Sequence, residues 1–412
     1  MSQIIDRAWP MRPLGEVCTL LPAKSIALAG DTAVRAITSA CLTELGFEPS
    51  GIKPARMWAR DVDECVVGNG EILMARSNTP ELVGRVASFD GEPEGVVASD
   101  LTIRILPSGT LHTEFLTSYL SALYCSGYWK ERAGGASGSM KKITRAQVFD
   151  TLIPVPSLEE QRSISEALNR NLESVRKAQV AASLQQTDVE LLPKKILWSV
   201  LSELPIATAE DVRYSAASAG LRWSPLNQLA TLESGHTPSR HRPDWWGGDI
   251  SWLSLTEIRK LDGKWVSETE LRTNAEGIAN SSARMLPKGT VCLSRTASVG
   301  FVAVMDRPMA TSQDFANWVC GPDLDPEYLM YSLIASRDYL RRIAVGATHK
   351  TIYMPALQSF HILHPPVKTQ RRIANKLKDS LATIAQAQAG ARIQVKDLEL
   401  LPQKLLAQAF DV

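Results

Sequence analysis

A chain of 412 residues is longer than a single hydrophobic core usually supports, so at least two domains are expected. Its 44% apolar and 22% charged residues exclude an intrinsically disordered chain. The formal net charge of +1 excludes a global attraction to polyanions, although a local basic face is enough for phosphate contact.

The spacing of the cysteines and the length of the apolar segments indicate the cellular compartment of the protein. The six cysteines lie far apart and form no C-x-x-C pair, which argues against structural zinc and favours reduced thiols. The N-terminal residues lack the apolar stretch of a secretory signal, and no run of about 18 apolar residues predicts a membrane span. We therefore expect a cytoplasmic protein that does not associate with membranes.

Residues 1–156 are predicted to form a strand-rich module of mixed α/β structure. Apolar residues at helical spacing predict a helix over residues 113–132, with Thr113 as its N-cap, and a glycine-rich turn at residues 134–139 follows. Short apolar runs bounded by glycine, proline, aspartate and asparagine predict strands at residues 17–21, 71–75, 83–88 and 101–106.

A spacer helix is predicted at residues 157–205. It begins with a capping box, in which Ser157 and Glu160 satisfy each other's free amide donors. Proline removes a backbone donor and clashes with the preceding turn, so Pro193 is expected to kink or restart the helix. Charges of both signs cover the exposed face, which favours packing over nucleic-acid binding by this helix.

The second half of the chain repeats this scheme. A linker at residues 206–220, which ends in small residues at 215–220, leads to a second module at residues 221–366 and a second spacer helix at residues 367–412. Both spacer helices open with Gln-Arg-x-Ile and contain Leu-Leu-Pro, each time at an offset of 209 residues (370 − 161 and 402 − 193). Asp325 followed by Pro326 predicts a helix start that matches the one near residue 113.

The two spacer helices carry equivalent narrow apolar seams at steps of four and three. We expect the helices to pair antiparallel, with Ile164, Leu168, Leu172 and Val175 against Ile373, Leu377, Leu381 and Ile384.

Motifs for catalysis are absent from the sequence. It contains no G-x-x-x-x-G-K-[ST] phosphate loop and no glycine-rich fingerprint for a nucleotide or S-adenosylmethionine. His361 and His364 could hold a metal, but in a strand their side chains would point to opposite faces. We therefore expect no metal site, no catalytic residue and a non-enzymatic role.

Candidate binding residues lie at strand ends and in turns, several at matching positions of the two modules. Arginine binds phosphate or reads guanine, glutamine reads adenine, lysine supplies charge, and small hydroxyls contact phosphates or bases. The alternative for each is a solvated cation or a polar turn. Residues 245–252 are tryptophan-rich, and core packing is favoured there over base stacking. The candidate DNA-binding residues are Arg76, Ser77, Asn78, Ser99, Lys141, Lys142, Thr237, Ser239, Arg240, Ser254, Thr256, Arg295, Thr296, Ser298, Ser312, Gln313 and Lys350.

The order of module, spacer helix, module and spacer helix resembles the DNA-specificity subunit of type I restriction–modification enzymes. A proline shortly before Gln-x-x-Ile opens each spacer helix, at residues 156–164 and 366–373. Residues 234–240 and 246–252 are similar to the opening of the family's target-recognition domain, although His236 stands where glycine is common.

The resemblance implies an α+β fold, with two target-recognition domains separated by two antiparallel helices in a pseudo-twofold repeat. Each domain would read one half of a split, asymmetric double-stranded DNA target. Partner methyltransferase subunits with S-adenosylmethionine would methylate an adenine in each half, and an endonuclease and translocase subunit with ATP and magnesium would join for restriction. No cofactor is expected in this chain.

Three other readings of the same pattern are open. The chain could be a structural adaptor that binds no DNA, a recognition subunit of another defence system, or a stand-alone enzyme whose active site lacks known motifs.

Overall fold

The computed structural model describes residues 9–44, 46–135, 140–201, 204–213 and 220–412. The chain divides into two compact units, one of Met1–Leu184 with Ile393–Val412 and one of Gln185–Arg392. Each unit therefore combines one module with part of each long helix. Most of the predicted glycine-rich turn, residues 136–139, and residues 214–219 of the predicted linker lie outside the described residues.

A four-stranded antiparallel sheet forms the centre of the first unit. Its strands lie in the order Cys18–Leu21, Thr102–Pro107, Ile72–Ala75 and Val86–Ser88. One face packs on the helix Thr113–Cys125, because apolar side chains alternate toward that helix along each strand. The other strands are Met11–Pro13 with Leu152–Pro154, Val96–Ala98 with Thr32–Ile37 and Lys53–Met57, Leu42–Thr43 with Gly46–Phe47, and Ser77–Asn78 with Lys141–Lys142.

A buried ion pair crosses this sheet. Arg104 donates two hydrogen bonds to the Glu71 carboxylate, at 2.8 and 2.7 Å. Both side chains are almost fully buried, and the rest of the guanidinium donates to the carbonyls of Pro22, Glu64 and Val66. A buried charge pair is tolerated only when its remaining donors are also satisfied, and this one is.

The second unit repeats the same strand order. Ala230–Ser234, Phe315–Cys320, Val291–Ser294 and Val302–Met305 are antiparallel neighbours, and Trp265–Val266 adds a parallel fifth strand. A second sheet contains Arg272–Thr273, Trp246–Leu253 and Ala310–Thr311, and a third contains Ile206–Thr208, Phe360–His364 and Arg222–Pro225.

The strand Ile206–Thr208 corrects the boundary predicted from the sequence. It pairs antiparallel with Phe360–His364, and Ile206 and Ala207 are fully buried. These residues therefore belong to the second module and not to a linker, because their backbone donors are used by its sheet.

Two 44-residue helices, Leu158–Leu201 and Val367–Phe410, are termed here the first and second long helix. The capping box at Ser157 and Glu160 is confirmed by reciprocal hydrogen bonds of 3.0 and 3.3 Å. The helix does not restart at Pro193, since the first long helix continues past this residue and the second continues past Pro402. Apolar residues beyond each proline pack into a core, and this tertiary packing outweighs the local cost of proline.

Among the shorter helices, the helix Thr113–Cys125 has a different N-cap residue from the predicted one. The residue at the N-cap position is His112 and not Thr113, and its side chain makes no capping bond. Gly127, at φ 86°, separates this helix from the next, whereas Asp325 caps its helix as predicted. The shorter helices are Leu14–Val17, Ala59–Cys65, Thr113–Cys125, Tyr128–Arg132, Arg145–Phe149, Ala209–Val212, Leu226–Leu229, Ile258–Leu261, Ala275–Ala279, Pro326–Ala335, Arg337–Ile343 and Met354–Gln358.

The long helices run antiparallel, but the seam pairs differently from the sequence prediction. In the first unit Ile164, Leu168 and Leu172 pack with the last turns of the second long helix, Leu405, Leu406, Ala409 and Phe410. In the second unit the equivalent Ile373, Leu377 and Leu381 pack with Ile196, Leu197, Val200 and Leu201. The predicted direct pairing of the two seams is wrong, because each seam is part of the core of its own unit. Val175 and Ile384 are half-buried.

A buried glutamine anchors the start of each long helix. The amide of Gln161 accepts from His112 N and donates to the carbonyls of Thr110 and Pro156. Gln370 does the same with Asp325 N, Asp323 O and Pro365 O. Both glutamines are 0% exposed, which gives the repeated Gln-Arg-x-Ile motif a structural reason.

Candidate nucleic-acid interface

The predicted residues of the first module converge on one short ladder. Arg76 directly follows the strand Ile72–Ala75, and Ser77 and Asn78 then pair antiparallel with Lys142 and Lys141. Ser77, Asn78 and Lys141 are half-buried and Lys142 is exposed. Backbone pairing thus brings together hydroxyl, amide and ammonium groups from segments more than sixty residues apart in sequence (141 − 78 = 63).

The second module builds the same feature. After Val291–Ser294, Thr296 forms an antiparallel bridge with Thr351, and Ala297 N donates to Lys350 O at 2.9 Å. Ala297 has φ 55°, a left-handed conformation that lets the chain turn within this short segment. Lys350 is exposed, and Ser298 accepts a weak bond of 3.4 Å from Arg259.

The two strand-end arginines donate hydrogen bonds to main-chain carbonyls. Arg295 donates to Gln313 O at 3.2 and 3.0 Å and to Ile352 O at 3.3 Å. Arg76 donates to Asp100 O at 3.0 Å, and its Nε is buried without a partner among the described residues. Both arginines are half-buried. Their first role in the fold is therefore to join the strand end to a neighbouring turn.

Three of the predicted hydroxyls are buried. Ser99, Ser254 and Ser312 are 5%, 4% and 3% exposed. Ser254 shares a hydrogen bond with Thr256, and Ser312 donates to Asp314 at 3.0 Å. Their burial assigns these serines to turn geometry, since a buried hydroxyl cannot reach a ligand without a local rearrangement.

The exposed face of the second module carries the other predicted residues. Thr237 donates to the side-chain oxygen of Gln313, which is exposed, and Thr256 is also exposed. The guanidinium of Arg240 lies over two indoles, 5.6 Å from the Trp246 centroid and 5.9 Å from the Trp252 centroid. Cation–π contact of this kind orders an exposed arginine. Trp252 is 1% exposed and Trp246 half-buried, in keeping with the packing role favoured for this segment.

An open cleft of about 740 Å³ lies beside this face. Thr237 and Ser239 were predicted from the sequence, but Trp245, Asn280 and Ser281 of the same cleft were not. Only the fold brings residues 279–282 next to residues 236–239, so no local sequence signal identifies them. The cleft offers hydroxyl and amide groups beside one half-buried indole.

Burial controls the protonation of two cysteines and one histidine. Burial raises the pKa of the Cys18 and Cys320 thiols to about 12, so both stay protonated and unreactive at neutral pH. His364 is buried with its Nε2 3.0 Å from Ser224 Oγ, and burial lowers its pKa. Across the described ranges no group of three or more His, Cys, Asp or Glu side chains could hold a metal ion. No helix in those ranges is long and apolar enough to span a bilayer.

Comparison with known proteins matches part of the chain to one family model. Residues 222–396 match the family model of the type I restriction modification DNA specificity domain. The MjaIX specificity subunit of Methanocaldococcus jannaschii is 29% identical over 154 residues, which are 37% of this chain and 36% of that protein. The EcoprrI specificity subunit of Escherichia coli is 22% identical over 150 residues, 35% of this chain and 37% of that protein.

A longer match covers three quarters of the chain. The putative MjaX specificity subunit of Methanocaldococcus jannaschii is 21% identical over 321 residues, which are 75% of this chain and 71% of that protein. The chain spans only about a third of the length of the first two relatives, 36% and 37%.

Solved structures share the fold over almost the whole chain. The HsdS subunit from Thermoanaerobacter tengcongensis superposes with a TM-score of 0.69 at 22% identity, over 98% of this chain and 97% of that one. A second solved structure, described as the structural basis of complex assembly and conformational transition of the type I R-M system, superposes with a TM-score of 0.73. It is 20% identical and covers 99% of both chains. The predicted α+β fold with two modules and two long helices is confirmed.

Proposed function

We propose that this chain belongs to the family of type I restriction–modification specificity subunits and is the sequence-specific DNA-binding subunit of such a complex. Each module reads one half of a bipartite, asymmetric target. The observation that carries the proposal is the repetition of one strand order and one strand-end ladder in two modules whose exposed loops differ. A shared scaffold with different loops suits two readers of different sequences.

The chemistry is assigned to partner subunits. Methyltransferase subunits that use S-adenosylmethionine methylate one adenine in each half-site, and an endonuclease and translocase subunit that uses ATP and magnesium carries out restriction. The absence of catalytic motifs from this sequence and the high pKa values of its buried thiols support a non-catalytic subunit.

The DNA-contacting residues are proposed to be the exposed members of the predicted set. Lys142 and Lys350 neutralise phosphates, because ammonium groups act as point charges on the backbone. Gln313 and the ordered Arg240 contact base edges of the half-site read by the second module. Arg76 and Arg295 position the adjoining turns and contribute to binding through them.

The central experiment maps methylated adenines after coexpression with the cognate methyltransferase subunit. Paired adenines in a split motif are expected, and a continuous motif or no methylation would contradict the proposal. Replacing residues 204–366 by another second module should change one half-site only. This boundary keeps the strand Ile206–Thr208 with its partner Phe360–His364.

Point variants test the contacts against a matched control. Lys142→Ala and Lys350→Ala should weaken binding to all sequences and lower the salt slope by about one unit each. Lys376→Ala, an exposed lysine on the second long helix, should leave the slope unchanged. Gln313→Ala should instead relax preference within one half-site. Binding that is insensitive to salt would favour the structural adaptor.

A further inference from the structure

The middle of the helix pair has little apolar packing. In the first long helix no residue between Leu172 and Ile196 belongs to a core cluster, and the same holds between Leu381 and Leu405 in the second. The buried positions in these stretches are small, such as Ala182 and Ala391 at 4% and 7% exposure. Small side chains fit equally well at several alignments, so the apolar seam alone defines the axial register weakly.

Each long helix also contains one carbonyl that its own backbone leaves unpaired. In an α-helix the carbonyl of residue i accepts from the amide of residue i+4. Pro193 and Pro402 have no N–H, so Val189 O and Leu398 O lack that donor. The proline ring also clashes with this carbonyl. Both acceptors belong to half-buried residues, where an unpaired carbonyl is costly.

A glutamine from the other long helix reaches each of these carbonyls. In the first unit Gln179 Nε2 donates to Leu398 O at 2.9 Å. In the second unit Gln388 Nε2 donates to Val189 O at 3.3 Å. The two bonds are equivalent under the 209-residue repeat (388 − 179 and 398 − 189). The same pairing of a proline-vacated carbonyl with a glutamine is thus built twice.

We propose that each such pair, Pro402 with Gln179 and Pro193 with Gln388, is a register lock for the two long helices. Sliding one helix by a turn would leave the carbonyl unpaired and the glutamine opposite a satisfied backbone. Only one alignment therefore pairs both carbonyls. A single polar group in a helix seam is known to specify register in this way, at some cost in stability.

The functional consequence rests on the proposed function. In that function the two long helices, which each contribute residues to both units, act as the spacer between the half-sites. The register locks then determine how many base pairs the complex accepts between half-sites, without touching DNA. Gln179 and Gln388 are positioning residues for spacer length and not for base identity.

The experiment uses the full chain in its complex with methyltransferase subunits. Methylation is measured on duplexes that keep both half-sites and vary the spacer by one or two base pairs. For Gln179→Leu with Gln388→Leu, the preference for the native spacer should fall at least tenfold. The matched control changes Gln185→Leu and Gln394→Leu, which are exposed and also 209 residues apart (394 − 185), and should keep the preference.

A second pair of variants separates register from stability. Pro193→Ala with Pro402→Ala restores both helical N–H donors, so the carbonyls no longer need a glutamine. The glutamine-to-leucine changes should lower the melting temperature in the proline background and leave it unchanged in the alanine background. Spacer preference should stay relaxed in the combined variant, since no cross-helix bond remains.

Two results would overturn the inference. One is a spacer preference that survives both leucine changes although the melting temperature falls, which would make the glutamines purely structural. The other is an equal loss of stability in the proline and alanine backgrounds. If the wild-type complex methylates no split site, the proposed function fails, whereas the melting cycle still reports on the locks.

Discussion

The buried glutamine at the start of the second long helix gives the sharpest stability prediction. Gln370 is 0% exposed and satisfies Asp325 N at 2.9 Å, Asp323 O at 3.0 Å and Pro365 O at 2.9 Å. Gln370→Leu removes the amide and leaves Asp325 N and Asp323 O without partners, whereas Pro365 O still has His364 Nδ1 3.0 Å away. At a lower bound of about 1 kcal/mol for each of these two groups, the loss is about 2 kcal/mol.

Hydrogen exchange measured by mass spectrometry is the assay, because two units need not unfold as one and a single melting curve would merge them. About 2 kcal/mol corresponds to exchange roughly 30-fold faster in a peptide spanning residues 321–332. Gln386→Leu, at an exposed position of the same helix, is the control. Gln161→Leu should act in the same way on residues 108–116 of the first unit.

An exchange rate within threefold of wild type at residues 321–332 would refute this reasoning. It would mean that Asp325 N and Asp323 O find water or other partners once the amide is removed. Equal acceleration by the exposed control would show instead that any leucine on this helix disturbs the unit.

Three further predictions concern polar groups that the fold buries or leaves uncapped. His112→Asp should stabilise the first unit by about 1 kcal/mol in urea unfolding, because aspartate caps the helix and pairs with Arg162, which now donates to the imidazole. Arg104→Met should cost about 3–5 kcal/mol in the same assay by leaving a buried carboxylate unpaired, and adding Glu71→Leu should recover much of the loss. Burial lowers the pKa of His364 below 6.5, so the unfolded chain binds its proton first and the second unit should lose stability as pH falls through 6.5. Substituting His364 with Asn should flatten that pH dependence, measured as the urea midpoint between pH 7 and 5.

Some of the interface was predictable because its residues occur twice in the same local context. Arg76 and Arg295 were identified as equivalents, and the structure places both at strand ends beside the turn that carries the lysines. Their engagement with main-chain carbonyls was not predictable, since those carbonyls come from other segments of the chain. The residues Asn280 and Ser281 of the cleft carry no local signal at all.

The sequence by itself determined the repeat, the two long helices and their capping, because these depend on periodicity and on groups a few residues apart. The tertiary structure decided that the start of each long helix packs with the end of the other. It also kept both helices continuous through Pro193 and Pro402. Local reasoning treats a proline as a break, since it counts only the donor lost within one helix. The partner helix supplies the missing donor from Gln388 and Gln179, and only the fold brings those side chains within reach.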